Sequence, residues 1–230
     1  MSSDEWYENL KPVKEGKYVF AFTRVIMNTP EMVGAIIYGT QRLGKTMYAF
    51  QVMYDIYRDW DKVLSLTFFH LDDLLESVGE QIERREQLPA LIWDDAGVHG
   101  SKYLYFTEKR LAEFLQKVFD VVGTVVKGFI ITTPNPDNLL KAIRGYEFYR
   151  VKIMKNSTSK TGRFATGYKS IKDPIGKTRI RKVFKDKYDV TIPDDIYKKY
   201  VRTRESYTRE AVDELNQFLK ERKEKQATTS

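Results

Sequence analysis

Residues 33–46 read VGAIIYGTQRLGKT, a short apolar run followed by a glycine-bounded loop ending in Lys-Thr. An apolar run of this length that stops at a glycine reads as a buried strand. Behind it, Gly39 and Gly44 permit a tight loop whose backbone N–H groups turn inward, which is a cradle for phosphate. Lys45 reaches toward the β- and γ-phosphates, and Thr46 offers a hydroxyl to Mg²⁺. A helix opening near Lys45 adds its positive end to the same anion site. The stretch predicts a strand, a phosphate loop and a helix. Its expected ligands are ATP and Mg²⁺, bound through Gly39, Thr40, Gln41, Arg42, Leu43, Gly44, Lys45, Thr46 and Met47.

A second apolar run, LPALIWDDAG (88–97), ends in two acids. In that position Asp94 stands beside the loop as a metal-side carboxylate, and Asp95 is the candidate general base or water-positioner. A third run, IITTPNPDN (130–138), sets Thr132, Thr133 and Asn135 where a strand meets the open edge of a sheet. Thr133 is a candidate catalytic γ-phosphate sensor. Arg144, in LLKAIRGYEF, is a candidate arginine finger for a neighbouring subunit, which makes a homo-oligomer the expected assembly.

Around these motifs, strands are predicted at 34–39, 62–69, 90–95, 128–133 and 147–154, separated by helical patterns at 45–60, 71–87 and 107–126. Leu111, Phe114, Leu115 and Val118 recur at helical steps in the last of these. Alternating strands and helices imply right-handed crossovers and a three-layer α/β fold on a mainly parallel sheet. After residue 155 the pattern changes. RFATGYKSI and KTRIRKVF flank KDPIG and read as a β-hairpin, followed by a helix with an apolar stripe of Tyr207, Ala211, Val212, Leu215, Phe218 and Leu219. The expected organisation is an arm (1–30), an ATPase core (31–155), a basic hairpin (156–187), a C-terminal helical segment (188–225) and a tail (226–230).

Charge separates the same regions: residues 1–150 sum to −3 and residues 151–230 to +10. Within 151–187, twelve Lys and Arg face only Asp173 and Asp186. Such a field attracts polyanions. Arg163, Lys169, Lys172, Lys177, Arg179, Arg181 and Lys182 are the expected DNA contacts, acting on the phosphate backbone with little sequence preference. The absence of cysteine excludes disulfides and thiolate-bound zinc, and two histidines leave little for a histidine metal site. No run is long enough for a membrane span, and the acidic start does not read as a signal peptide, so the expected location is the cytoplasm.

Taken together, AIIYGTQRLGKTMYA, PALIWDDAGV, IITTPNPDN and the late DKYDVTIPDDIYKKYVRTRESY resemble the DnaA-like, AAA+-type ATPases of spindle-shaped viruses and related plasmids of hyperthermophilic archaea. The resemblance spans roughly residues 32 to 220. It implies an additional-strand P-loop fold and a mobile-element ATPase acting on DNA in replication initiation, helicase loading or related genome handling, with further replication or virion proteins as partners. Two departures stand out: Asp95 occupies a position where Glu is usual, and a basic hairpin replaces a helical lid. The residues also admit a genome-packaging or translocating motor, a nucleotide-gated scaffold with negligible hydrolysis, a small-molecule kinase using residues 150–187 as a lid, and a membrane-docked virion assembly factor.

Overall fold

The computed structural model describes residues 18–96, 122–139, 143, 146–172 and 178–228. The chain divides into two compact units at Ile192/Pro193.

In the first unit, described elements follow in the order α1 (Ala21–Asn28), β1 (Val33–Tyr38), α2 (Lys45–Tyr57), α3 (Trp60–Ser65), β2 (Thr67–Phe68), α4 (Leu71–Arg84), β3 (Leu88–Trp93), β4 (Val126–Thr133), β5 (Tyr149–Lys155), β6 (Gly162–Lys172) and β7 (Thr178–Asp189). The strands form one sheet in the order β2-β3-β4-β1-β5-β6-β7. The first five are mutually parallel, and β6 and β7 continue the sheet antiparallel. The fold is therefore α/β. A strand, β4, is inserted between β1, which leads into the glycine-bounded loop, and the acidic strand β3, and this order decides which side chains meet at the end of the sheet.

Burial follows from composition. Ala35, Ile36 and Ile37 of β1, Leu91 and Ile92 of β3, and Phe129, Ile130 and Ile131 of β4 are all fully buried. Strands apolar on both faces belong in the middle of a covered parallel sheet. Helix α2 packs on β1, β3 and β4, with α1 beside it reaching β4 and β7. Strand β2 is so short that the backbone of Ala90 on β3 has no strand partner on that side. The Tyr57 hydroxyl fills the place, donating to the Ala90 carbonyl at 2.7 Å and accepting the Ala90 amide at 2.9 Å.

Three expectations need revision or limits. Residues 62–69 do not form one strand: α3 occupies 60–65, and only Thr67 and Phe68 are extended. The cause is Asp59, whose carboxylate accepts the amides of Asp61 and Lys62 and caps a new helix just after Arg58 has closed α2 in a left-handed turn. The helical pattern at 107–126 lies outside the described residues except for its end, where residues 122–125 are helical. The basic hairpin forms as expected, but it belongs to the main sheet, β6 pairing with β5 from Arg150↔Tyr168 to Lys155↔Arg163.

The end of the N-terminal segment is docked by two buried acids. Asp55 of α2 accepts the amides of Val19 and Phe20, both at 3.1 Å, and Asp186 of β7 accepts those of Ala21 (2.7 Å) and Phe22 (3.1 Å). The first amides of a helix lack intrahelical acceptors, and Phe20 offers no capping side chain, so carboxylates distant in the chain supply them. Phe22 then stacks on Phe184 with ring centroids 5.1 Å apart. Gly167 makes room for that ring: a Cβ there would lie 2.2 Å from Phe184 Cε1.

The second unit is dominated by one helix, α5 (Asp194–Thr228), about 52 Å long at 1.5 Å per residue. Thr203 and Thr208 return their hydroxyls to carbonyls one turn earlier, those of Lys199 and Arg204. Of its apolar stripe, Val212 is half exposed.

Candidate functional site

The loop between β1 and α2 has the conformation its glycines foretell. Gly44 caps α2 at φ 95°, a left-handed value, and a Cβ there would lie 2.4 Å from Val190 Cγ1. Arg42 is also left-handed, at φ 59°. Leu43 is buried and anchors the loop, whereas Thr40, Gln41 and Arg42 are exposed. Lys45 is buried at the start of α2, and its Nζ donates to the carbonyls of Gly39 and Thr40, each at 3.0 Å. The loop thus closes around its own lysine, holding a cation at its centre. Met47 sits in the first turn of α2, also buried.

The acidic pair arrives from β3. Asp94 is fully buried, and the same carboxylate oxygen accepts the Thr46 hydroxyl at 2.9 Å and the Thr132 hydroxyl at 2.5 Å. Thr132 also accepts the Asp95 amide at 3.0 Å. The sheet order explains this meeting: Trp93 pairs with Ile131, so the residues that follow, Asp94 and Thr132, stand side by side at the ends of neighbouring strands. Asp95 is half-buried and left-handed at φ 48°, a conformation that costs an ordinary residue about 1 kcal/mol.

Thr46 and Asp94 are hard oxygen donors at the N-terminal end of a helix, which is the donor chemistry Mg²⁺ requires. Among the described residues no group of three or more His, Cys, Asp and Glu could hold a metal by itself. Phosphate and water would complete the coordination, the usual arrangement for Mg²⁺ on a nucleotide.

Thr133 is buried beside Tyr38, the last residue of β1, and its hydroxyl donates to the Asn135 carbonyl at 3.0 Å. The Asn135 side chain is engaged in a local turn, accepting the Asp137 amide at 3.0 Å. Arg144 lies outside the described residues. Thr132 is the residue that joins both acids.

The basic hairpin separates into a base and a distal ribbon. At its base, Arg163 departs from its expected DNA-facing role. It is buried, and its guanidinium donates to the carbonyls of Leu43 (3.1 Å), Lys160 (3.0 Å) and Gly162 (2.8 Å). An arginine committed to three carbonyls inside the fold is not a surface cation. Tyr188, on the partner strand, donates to the Gly44 carbonyl at 3.0 Å. Burial pushes its phenol above the ordinary tyrosine range, with Arg163 opposing part of the effect.

Past Tyr168, β6 has left β5 and pairs only with β7. Register sets Lys169 opposite Arg181 and Ile171 opposite Arg179 on one face, with Tyr168 opposite Lys182 and Ser170 opposite Ile180 on the other. Val183 is the extra residue of a bulge between the Gly167 and Tyr168 pairings, a device that bends a strand. Arg179, Arg181 and Lys182 are exposed, and Lys169 Nζ lies 5.2 Å from the centre of the Tyr149 ring. Lys172 pairs with Thr178, and Lys177 lies outside the described residues. Because β6 runs opposite to β5, the ribbon ends at the pole of the sheet away from the loop between β1 and α2. At about 3.3 Å per residue, Lys172 stands roughly 30 Å from Arg163 along the strand. These cations do not close over the loop of their own chain.

Three cations on the open side of the same strands escaped the sequence reading. Lys152 is exposed and shares a row with Thr166 and Lys185, and Lys187 pairs with Phe164 in the next row. Lys185 Nζ lies 4.0 Å from the Phe164 ring centre. The signal was the alternation of Lys185 and Lys187 with buried Phe184, Asp186 and Tyr188.

No family model matches the chain. An uncharacterized protein of Sulfolobus spindle-shape virus 1, B-251, is 29% identical over 227 residues, covering 92% of this chain and 90% of that protein. A second, ORF286 of Acidianus two-tailed virus, is 29% identical over 124 residues, 53% of this chain and 43% of that protein. Among solved structures, the N-terminal domain of zonular occludens toxin from Neisseria meningitidis is similar at TM-score 0.41 and 16% identity, over 73% of this chain and 98% of that one. A KaiC-like protein of Pyrococcus horikoshii is similar at TM-score 0.40 and 15% identity, over 73% and 97%. Among the described residues no helix is long and apolar enough to cross a membrane. The relatives found by sequence are thus proteins of archaeal viruses.

Proposed function

We propose that this chain is a Mg²⁺-dependent ATPase of an archaeal virus that acts on DNA in genome handling, such as replication initiation or helicase loading. The observation that carries the reading is the junction of Thr46, Asp94 and Thr132 beside a loop closed on Lys45. The loop amides, Lys45 and the start of α2 hold the phosphates. Mg²⁺, held through Thr46 and Asp94, would neutralise charge on the β- and γ-phosphates. Asp95 orients the attacking water, and Thr133 senses the γ-phosphate from the end of β4. Arg144 would act on a neighbouring subunit's nucleotide in a homo-oligomer. DNA lies along Lys169, Lys172, Lys177, Arg179, Arg181 and Lys182, with Lys152, Lys185 and Lys187 extending the surface.

A second reading, a nucleotide-gated scaffold with little hydrolysis, is favoured by Asp95 itself. Its side chain is one methylene shorter than glutamate, and its amide is tied to Thr132. Steady-state ATP turnover with and without single- and double-stranded DNA separates the two. The ATPase reading expects DNA-stimulated turnover in wild type that Lys45→Ala and Asp95→Asn each abolish. Lys45-dependent ATP binding without turnover would establish the scaffold instead.

A further inference from the structure

We infer that Arg163 and Tyr188 are positioning residues for the phosphate loop, acting from outside it to aim two of its backbone amides at the phosphates. The inference rests on the nucleotide reading above and adds residues that the loop sequence does not contain. In a trans peptide the C=O and the following N–H point in opposite directions. Arg163 Nε holds the Leu43 carbonyl at 3.1 Å, so the Gly44 N–H is directed away from β6. Tyr188 holds the Gly44 carbonyl at 3.0 Å, a carbonyl that also accepts the Tyr48 amide at 3.0 Å in the first helical bond of α2. The Lys45 N–H is thereby fixed along the helix axis, pointing out of its N-terminal end. These amides belong to the set that a phosphate loop presents to its anion.

The support is built, not incidental. Arg163 and Tyr188 face each other in register across β6 and β7, so one cross-strand pair reaches two consecutive peptides. Val190 packs where a Gly44 Cβ would stand, and Gln51 Nε2 of α2 donates to the carbonyls of Asp189 (2.5 Å) and Thr191 (3.0 Å), binding the end of β7 to the phosphate-loop helix. The Tyr188 ring also lies 4.9 Å from that of Tyr48 on α2. Strands appended to a parallel sheet thus serve as a brace for the loop, and the buried guanidinium adds positive charge behind it.

The test is binding of ATP and of inorganic tripolyphosphate to folded Tyr188→Phe and Arg163→Lys, with Phe184→Leu, whose ring packs on Phe22 and Tyr149, as a control that disturbs the same hairpin away from the loop. Tyr188→Phe keeps the ring and removes one hydrogen bond; Arg163→Lys keeps the charge and loses the fork. Each should weaken both ligands about five- to tenfold, with an altered Gly44 or Lys45 amide resonance in the ligand-free protein, while the control binds as wild type does. Wild-type affinity in both variants overturns the inference. So does an equal loss in the control, which would mean general loosening. Should wild type bind neither ligand, the nucleotide reading itself fails, and that outcome is distinct from unchanged variants.

Discussion

Thr132 donates its hydroxyl hydrogen to Asp94 across 2.5 Å, fixing a fully buried carboxylate from the neighbouring strand. The same threonine oxygen accepts the Asp95 amide. One hydroxyl therefore sets the geometry of both acids, one proposed for the metal and the other for water. Thr132→Val keeps the shape and removes both bonds. Turnover should fall at least about tenfold, with ATP affinity changed by less than about threefold, and Thr132→Ser should restore most of the rate. Separate kcat and KM values check this.

Asp186 accepts two helix amides and the Tyr48 hydroxyl, at 2.6 Å, within the core. Removing an acceptor that satisfies three donors, two of them fully buried, is costly. Asp186→Ala should lower unfolding free energy by about 3 kcal/mol, against less than about 1 kcal/mol for Asp189→Ala, whose carboxylate is exposed. Urea unfolding measures both.

The phenols of Tyr48, Tyr57 and Tyr188 are pushed above the ordinary tyrosine range by burial, with the Asp186 charge adding to the effect at Tyr48. Their unfolded forms ionise near pH 10, before the folded forms do, so above that pH the folded state holds more protons. Stability from these groups is complete below about pH 9 and declines as pH rises beyond 10. Urea midpoints at pH 8, 9.5 and 10.5 should fall slightly in the first step and mainly in the last. Tyrosinate absorbance at pH 10.5 should be lower for the folded protein than for the urea-unfolded protein at the same pH, because the buried phenols stay protonated only when folded.

The ribbon predicts salt-sensitive DNA binding. A charge-reversed Arg179→Glu/Arg181→Glu protein should bind duplexes of unrelated sequence with a similar loss, and its log Kd against log salt should flatten by roughly one for each phosphate contact removed. Fluorescence anisotropy at several salt concentrations gives the slope. An unchanged slope assigns these cations to solvent.

Much of the site is legible because its signals are local. Gly39, Gly44, Lys45 and Thr46 sit within eight residues, and Asp94 follows its strand directly. The strand order that brings Thr132 to Asp94 is not local, because it depends on β4 inserting between β1 and β3. Residues 62–69 misled because Val63, Leu64, Leu66 and Phe68 suit a strand or a helix, and the cap at Asp59 decides between them. Arg163 lies in a basic run, and only the pairing of β6 with β5 turns it inward to the loop. Charge density in the sequence cannot separate a cation that supports a peptide from one that meets solvent.

The most direct measurement of the central claim is a calorimetric titration of Mg-ATP into wild-type protein and the Lys45→Ala variant. The account predicts saturable one-site binding in the micromolar range for wild type, weakened at least about a hundredfold in the variant, whose melting behaviour otherwise stays close to wild type. Equal binding by the two proteins, or none by folded wild type, would contradict it.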